Sequence, residues 1–248
     1  MRLKKKVNPL DYFPLNVGST WSYNSLYQTA DKSTIEVKEK DKIKVKSLIT
    51  ERVSYIKIND DGVLAVIEGT VRKTVEYGSD VKEEDTRRFA ADNNGKEEYI
   101  KYLFVYGNRI YELSDEDLDK TNYRPTSSAM HSIAGERMPY LFFPLTLGVR
   151  WADKKMEERD MEAGRLFHLG IGPAPNPGMY YKIVEGRAEI IVPAGKFEDV
   201  WVIFYRTAGG PSIKWFKEGV GILKEYNIHS GTYWEHEKVL IDYKLNAK

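Results

Sequence analysis

Apolar and polar residues alternate with a period of two along most of the chain, the signature of strands with one buried and one solvated face. Trp21, Tyr23 and Tyr27 alternate with polar residues, as Ile43, Val45 and Ile49 do with Lys42, Lys44 and Lys46. The pattern continues through 63–75, 99–106, 109–113, 181–192, 201–206, 213–216, 222–228 and 233–245. Between these runs, Asp61-Gly62, Gly107-Asn108, Gly209-Gly210 and Ser230-Gly231 supply the positive φ that tight hairpins need. A turn at Gly107-Asn108 sets Val105 opposite Ile110 and Phe104 opposite Tyr111. One at Ser230-Gly231 sets His229 opposite Thr232 and Glu225 opposite His236. Helical signals are short, at 114–120, 127–137 and 153–163, and the Pro- and Gly-rich stretch 170–178 reads as a loop. The predicted fold is mainly β: a strongly curved antiparallel sheet or open half-barrel built from hairpins, with few short helices.

One segment occurs twice. Phe13-Pro14-Leu15-Asn16-Val17-Gly18-Ser19-Thr20-Trp21 returns 130 positions later as Phe143-Pro144-Leu145-Thr146-Leu147-Gly148-Val149-Arg150-Trp151. Pro holds the preceding Phe extended, Gly allows a turn that a Cβ would hinder, and Trp anchors the strand that follows. No further match appears at this offset, so the sequence does not support duplication of a whole half. The expected organisation is an N-terminal arm (1–9), a β-rich first half (10–125), a linker (126–140) and a β-rich second half (141–248), the halves sharing one core.

Composition removes several classes of function. With 38 Lys+Arg against 37 Asp+Glu and a net charge of +1, the chain lacks the footprint of a duplex nucleic-acid binder. The absence of cysteine excludes disulfides, thiolate metal sites and a cysteine nucleophile. No apolar run is long enough to form a membrane-spanning helix. Pro9, Asp11 and Pro14 break up the opening MRLKKKVNPLDYFPLN before it can form a signal-peptide core.

No P-loop, dinucleotide fingerprint or nucleophile elbow occurs. His229 and His236, flanked by Glu235 and Glu237, suggest a metal site, but hairpin spacing holds the two imidazoles roughly 13 Å apart. The acidic pairs at 60–61, 83–85, 157–158 and 198–199 sit where turns or solvated runs are expected. Lysines 38, 40, 42, 44 and 46 share one strand face, diluted by Glu36, Glu39 and Asp41. No catalytic, cofactor-binding or metal-binding residue is therefore expected. Aromatic residues are the most suggestive class: Trp201, Tyr205, Trp215 and Trp234 mark strand faces that could meet a ligand or partner.

The doubled segment, together with Val192-Pro193-Ala194-Gly195-Lys196-Phe197 and the Gly219-Val220-Gly221 strand pair, resembles a family of bacterial extracytoplasmic proteins. These are mostly lipoproteins of unknown function, with repeated FPLxxGxxW and VPAGxF motifs. Phe13, Pro14, Gly18, Trp21, Phe143, Pro144, Gly148, Trp151, Pro193, Gly195, Gly219 and Gly221 carry the resemblance, and their roles are structural. It implies a sheet broadly similar to the lipoprotein-carrier (LolA-like) half-barrels and an envelope location, whereas a native start at Met1 would imply a cytoplasmic one. The expected function is non-enzymatic: an envelope β protein that binds an apolar small molecule or a protein partner. The alternatives are a subunit that self-associates through strand edges or the N-terminal arm, and a hydrolase whose acids converge only in the fold.

Overall fold

The computed structural model describes residues 8–33, 37–59, 62–87, 95–114, 137–153, 155, 158–159, 162, 166, 169–170, 181–207, 209–229 and 231–246. Six strands come from the first part of the chain: β1 (Thr20–Ser33), β2 (Ile43–Asn59), β3 (Gly62–Tyr77), β4 (Gly95–Tyr106), β5 (Arg109–Leu113) and β6 (Leu141–Phe142). Six come from the second: β7 (Arg150–Trp151), β8 (Lys182–Val192), β9 (Gly195–Thr207), β10 (Gly210–Lys217), β11 (Gly221–His229) and β12 (Thr232–Lys244). All form one antiparallel sheet in the order β6-β5-β4-β3-β2-β1-β12-β11-β10-β9-β8-β7. The chain meanders outward from β1 to one edge, crosses to the other and meanders back to lie beside β1.

The two edges are thus consecutive in sequence, and the strongly curved sheet expected from the pattern wraps past a half-barrel into a nearly closed barrel. Residues 143–149 bridge the seam, and the Phe142 and Trp151 rings stack across it with centroids 6.2 Å apart. Trp151 Nε1 donates to the Pro139 carbonyl (2.9 Å), and Lys182 Nζ donates to the same oxygen (2.9 Å). Side-chain bonds therefore seal the seam where ladder bonds end. Each edge strand is only two residues long, so β6 pairs with only two residues of β5 and β7 with only two of β8.

Turn positions follow the sequence with local shifts. Gly107-Asn108 makes a two-residue turn, with Val105 opposite Ile110 and Phe104 opposite Tyr111. Elsewhere the pairs closing the turns are Asn59 with Gly62 and Thr207 with Gly210, so each turn lies one residue earlier than its glycine dipeptide suggests. His229 pairs with Trp234 instead of Thr232, which moves the register by two residues. The His229 ring stabilises this longer turn, stacking on Trp234 (5.9 Å between centroids) while the Gly231 N–H donates to its Nδ1 (3.1 Å). As a result Glu225 faces Lys238, and His236 faces Asn227.

Residues 155, 158, 159, 162 and 166 are helical, in keeping with the helix predicted at 153–163, and a helical turn occupies 83–87. The candidates at 114–120 and 127–137 lie almost wholly outside the described residues, as does the loop 170–178. Among the described residues no helix is long and apolar enough to cross a membrane.

The two copies of the repeat make matching bonds. Gly18 N–H donates to Val53 O (2.8 Å) and Val53 N–H to Ser19 O (3.0 Å); Gly148 N–H donates to Val184 O and Val184 N–H to Val149 O, both at 2.9 Å. Both glycines have left-handed φ, +85° and +79°, which disfavours a side chain at either position. The copies meet at Phe216, whose ring lies 6.0 Å from Phe13 and 5.8 Å from Phe143. One apolar cluster joins Phe13, Leu15, Trp21, Phe143, Leu145 and Trp151 to Val53, Trp201, Ile203, Leu223 and Leu240, so both ends of the chain contribute to it.

The GVG segment locks onto the first copy: Trp21 Nε1 donates to Val220 O (2.7 Å), and Gly219 N–H donates to Tyr12 O (2.7 Å). Pro193 and Ala194 form the β8–β9 turn between paired Val192 and Gly195, and Ala194 N–H reaches Leu240 O on β12 at 3.3 Å.

Candidate functional site

Charged residues line the barrel interior next to this apolar packing. Cross-strand register places Lys214 on β10 opposite Glu225 on β11, and Glu225 opposite Lys238 on β12. Lys214 and Glu225 are ion-paired. Lys238 Nζ lies 3.5 Å from Glu51 on β2, whose other partner is Lys101 Nζ of β4 at 3.0 Å. The result is a belt of alternating sign across the interior, in the order Lys214, Glu225, Lys238, Glu51, Lys101.

Gly69 explains how β4 reaches Glu51. It lies between Glu51 and Tyr99 in register, and a Cβ there would collide with the Tyr99 ring. With only hydrogen at that position, Tyr99 crosses β3 and donates its hydroxyl to Glu51 (2.8 Å). Lys238 also caps the Tyr23 ring at 4.0 Å from its centroid. Tyr140 enters from the segment before β6, with Lys214 at 4.8 Å and Lys182 at 5.6 Å from its ring centroid. His236 completes the lining, with Nε2 2.8 Å from Ser25 Oγ.

Charge pairing outweighs burial for the carboxylates. Burial alone would raise the Glu51 pKa, but Lys101, Lys238 and the bonds from Lys101 and Tyr99 hold it at about 2. Burial would likewise raise Glu225, yet Lys214 and Lys238 keep it below the usual carboxylate range. The two lysines beside Glu51 move in opposite directions. Burial lowers Lys238, with Lys101 and Lys214 adding repulsion, whereas Lys101 is carried upward against burial by Glu51 and Glu112. The shorter Lys101 contact and its hydrogen bond account for this difference. Burial lowers His236.

Both acids are therefore ionised, which is unlike the raised-pKa general acid that glycosidic hydrolysis requires. Among the described residues no cluster of three or more His, Asp or Glu could hold a metal. The interior cavity bordered by Phe13, Tyr23, Glu51, Lys101, Tyr140, Glu225 and Lys238 has a volume of about 20 Å³, enough for one water molecule.

A pH dependence follows. A carboxylate with a depressed folded pKa contributes stability that is present above its ordinary value near 4.5 and is lost as pH falls toward 2. Chemical denaturation of Glu51→Gln across pH 2–5 should give a flatter stability profile than wild type in that window. Parallel profiles would contradict the assignment.

The four aromatic residues singled out in the sequence do not share one surface. Trp201 is in the core at 6% exposure, donating through Nε1 to Glu218 (2.9 Å) beneath the Arg187 guanidinium. Tyr205 follows it on the same face, paired with Lys182 and Ser212. Trp234 stacks between Tyr27 and His229 at the far end of β12. Trp215 points to the opposite side from Lys214, beneath Lys224.

A larger concavity lies on the outer face of β12, β1, β2 and β3. Its volume is about 520 Å³, within the range of small-molecule sites. Two cross-strand rows form it: Val239, Asn24, Leu48 and Arg72, then Glu237, Leu26, Lys46 and Thr74. Three apolar side chains, Val239, Leu26 and Leu48, are thus neighbours across three strands, and Leu48 is 40% exposed. Lys46 is paired with Glu76 (2.6 Å) and Glu237 with Lys224, whereas Arg72 has no ion-pair partner among the described residues. The rows run across strands distant in sequence, so the groove emerges only from the register.

No family model and no curated protein matches the chain. Among solved structures, a candidate exported protein of Bacteroides fragilis with a YmcC-like fold is 13% identical, with a TM-score of 0.45 over 94% of this chain and 98% of that one. A candidate lipoprotein of Parabacteroides distasonis is 11% identical, with a TM-score of 0.44 over 94% and 97% of the two chains.

Proposed function

We propose that the protein is a non-enzymatic binding protein of the cell envelope that holds one amphipathic ligand, with an apolar body and an anionic head, in the outer groove. The observation that carries this reading is a ligand-sized concavity in which Val239, Leu26 and Leu48 adjoin and exposed Arg72 stands at the β3 side. The apolar body lies over the three aliphatic side chains, and the anionic head pairs with the guanidinium. Four strands at about 4.8 Å spacing give the groove a span of roughly 14 Å. The interior cavity beside the charged belt, with room for about one water, favours an outer site over that one. The likeness of the FPLxxGxxW and VPAGxF segments to envelope proteins supports the location.

The test is fluorescence titration with 1-anilinonaphthalene-8-sulfonate, an apolar anion, followed by displacement with dodecanoate. Leu48→Asp should weaken both by about tenfold or more, since it places a carboxylate among the aliphatic side chains. Arg72→Gln should weaken them several-fold and reduce their salt dependence. Unchanged affinity in Leu48→Asp would sink the proposal.

A further inference from the structure

We propose that Lys182 is a nucleophilic amine that captures small carbonyl compounds, aldehydes above all, as a reversible imine at the barrel seam. This goes beyond the groove and does not depend on it. Lys101, Lys214 and Lys238 each have a carboxylate partner, but among the described residues Lys182 has none. Its Nζ donates instead to two backbone carbonyls, Pro139 O at 2.9 Å and Tyr140 O at 3.4 Å. A neutral amine has two N–H groups, so both bonds survive loss of the third proton and a lone pair is left over.

Lys214 approaches the same Tyr140 ring, so two amines crowd one aromatic group, and the Tyr205 ring lies 5.9 Å from Lys182 Nζ on another side. A desolvated lysine beside a second cation is the arrangement that activates amines for imine chemistry. Burial first, and Lys214 second, bring the Lys182 pKa down to about 7, against the opposing pull of Glu112 and Glu225. The residue as a whole is partly buried, at the first position of β8.

The Nζ lone pair attacks the carbonyl carbon, and the ammonium proton passes to the oxygen to give a carbinolamine. The hydroxyl takes a second proton and leaves as water while nitrogen forms the C=N bond and then loses its remaining proton. The sum is amine plus carbonyl giving imine plus water, with no oxidant or reductant.

The experiment is brief reductive methylation of the intact protein with limiting formaldehyde and cyanoborohydride, read by peptide mass spectrometry from pH 6 to 10. At pH 7 an amine titrating near 7 is about half free base, against roughly 4 in 10,000 for an ordinary lysine near 10.4. Allowing for the weaker nucleophilicity of the weaker base, Lys182 should label at least about tenfold faster than exposed Lys57 and Lys244, with a rate that levels off above about pH 8. Lys214→Met removes the neighbouring cation and should shift the Lys182 profile to higher pH, a change that a purely structural clamp would not produce. Labelling of Lys182 no faster than Lys57 in the wild-type protein at pH 7 would overturn the proposal.

Discussion

Glu51→Leu is expected to destabilise the protein by about 3–5 kcal/mol, because it strands two buried lysines whose charge the carboxylate now balances. Lys101 and Lys238 are 17% and 15% exposed at the side chain, and Tyr99 would lose the acceptor for its hydroxyl as well. Replacing all three charges tells a different story. In Glu51→Leu/Lys101→Met/Lys238→Met no charge of this trio is left unpaired, and most of the lost stability should return, since buried pairs often do little better than apolar groups of similar volume. Urea denaturation of wild type, single and triple variants measures both effects. A triple variant as unstable as the single one would show that the loss comes from packing and not from uncompensated charge.

Trp151→Ala is the second large effect, about 3–5 kcal/mol for the lost aromatic volume and about 1 kcal/mol for the hydrogen bond to Pro139. Trp151 is 1% exposed, and β7 holds only two residues, so little ladder remains to keep the seam shut. Hydrogen exchange should therefore rise first at the β7–β8 pairs, Arg150 with Ile183 and Trp151 with Lys182. Trp151→Phe keeps most of the volume without the donor and should fall between the two. Uniform loss of protection across all strands would mean that the tryptophan supports the whole core and has no special role at the seam.

Much of the architecture was legible because most strands bury one face, and alternation records that directly. The Gly107-Asn108 hairpin has the register its turn chemistry implies, and the doubled Phe, Pro, Gly and Trp positions all enter the core or its turns. β10 is the clearest exception: charged Lys214 lies opposite Ile203 and Glu225, on the strand face that also carries buried Phe216, while its apolar neighbours Ile213 and Trp215 take the alternate face. A barrel whose interior includes a charged belt reverses the rule that apolar means inside. The belt could be recognised only once register brought β2, β4, β10, β11 and β12 together. His229 misled for a local reason: stacking on Trp234 favours a longer turn than Ser230-Gly231 suggests, and two residues of slip exchange Glu225's partner from His236 to Lys238.

The outer groove was hidden for a related reason. Leu26, Leu48 and Val239 come from three strands and lie far apart in the sequence. Each looks like an ordinary exposed aliphatic until the β12-β1-β2 register sets them side by side.

Binding of an amphipathic anion in that groove is tested most directly by methyl NMR of Leu- and Val-labelled protein titrated with dodecanoate. Saturable shifts at the methyl groups of Leu26, Leu48 and Val239, with Val53, Leu103 and Leu223 in the core unmoved, are the predicted result. Shifts confined to the core methyls, or none at any residue up to the solubility limit of the ligand, would contradict it.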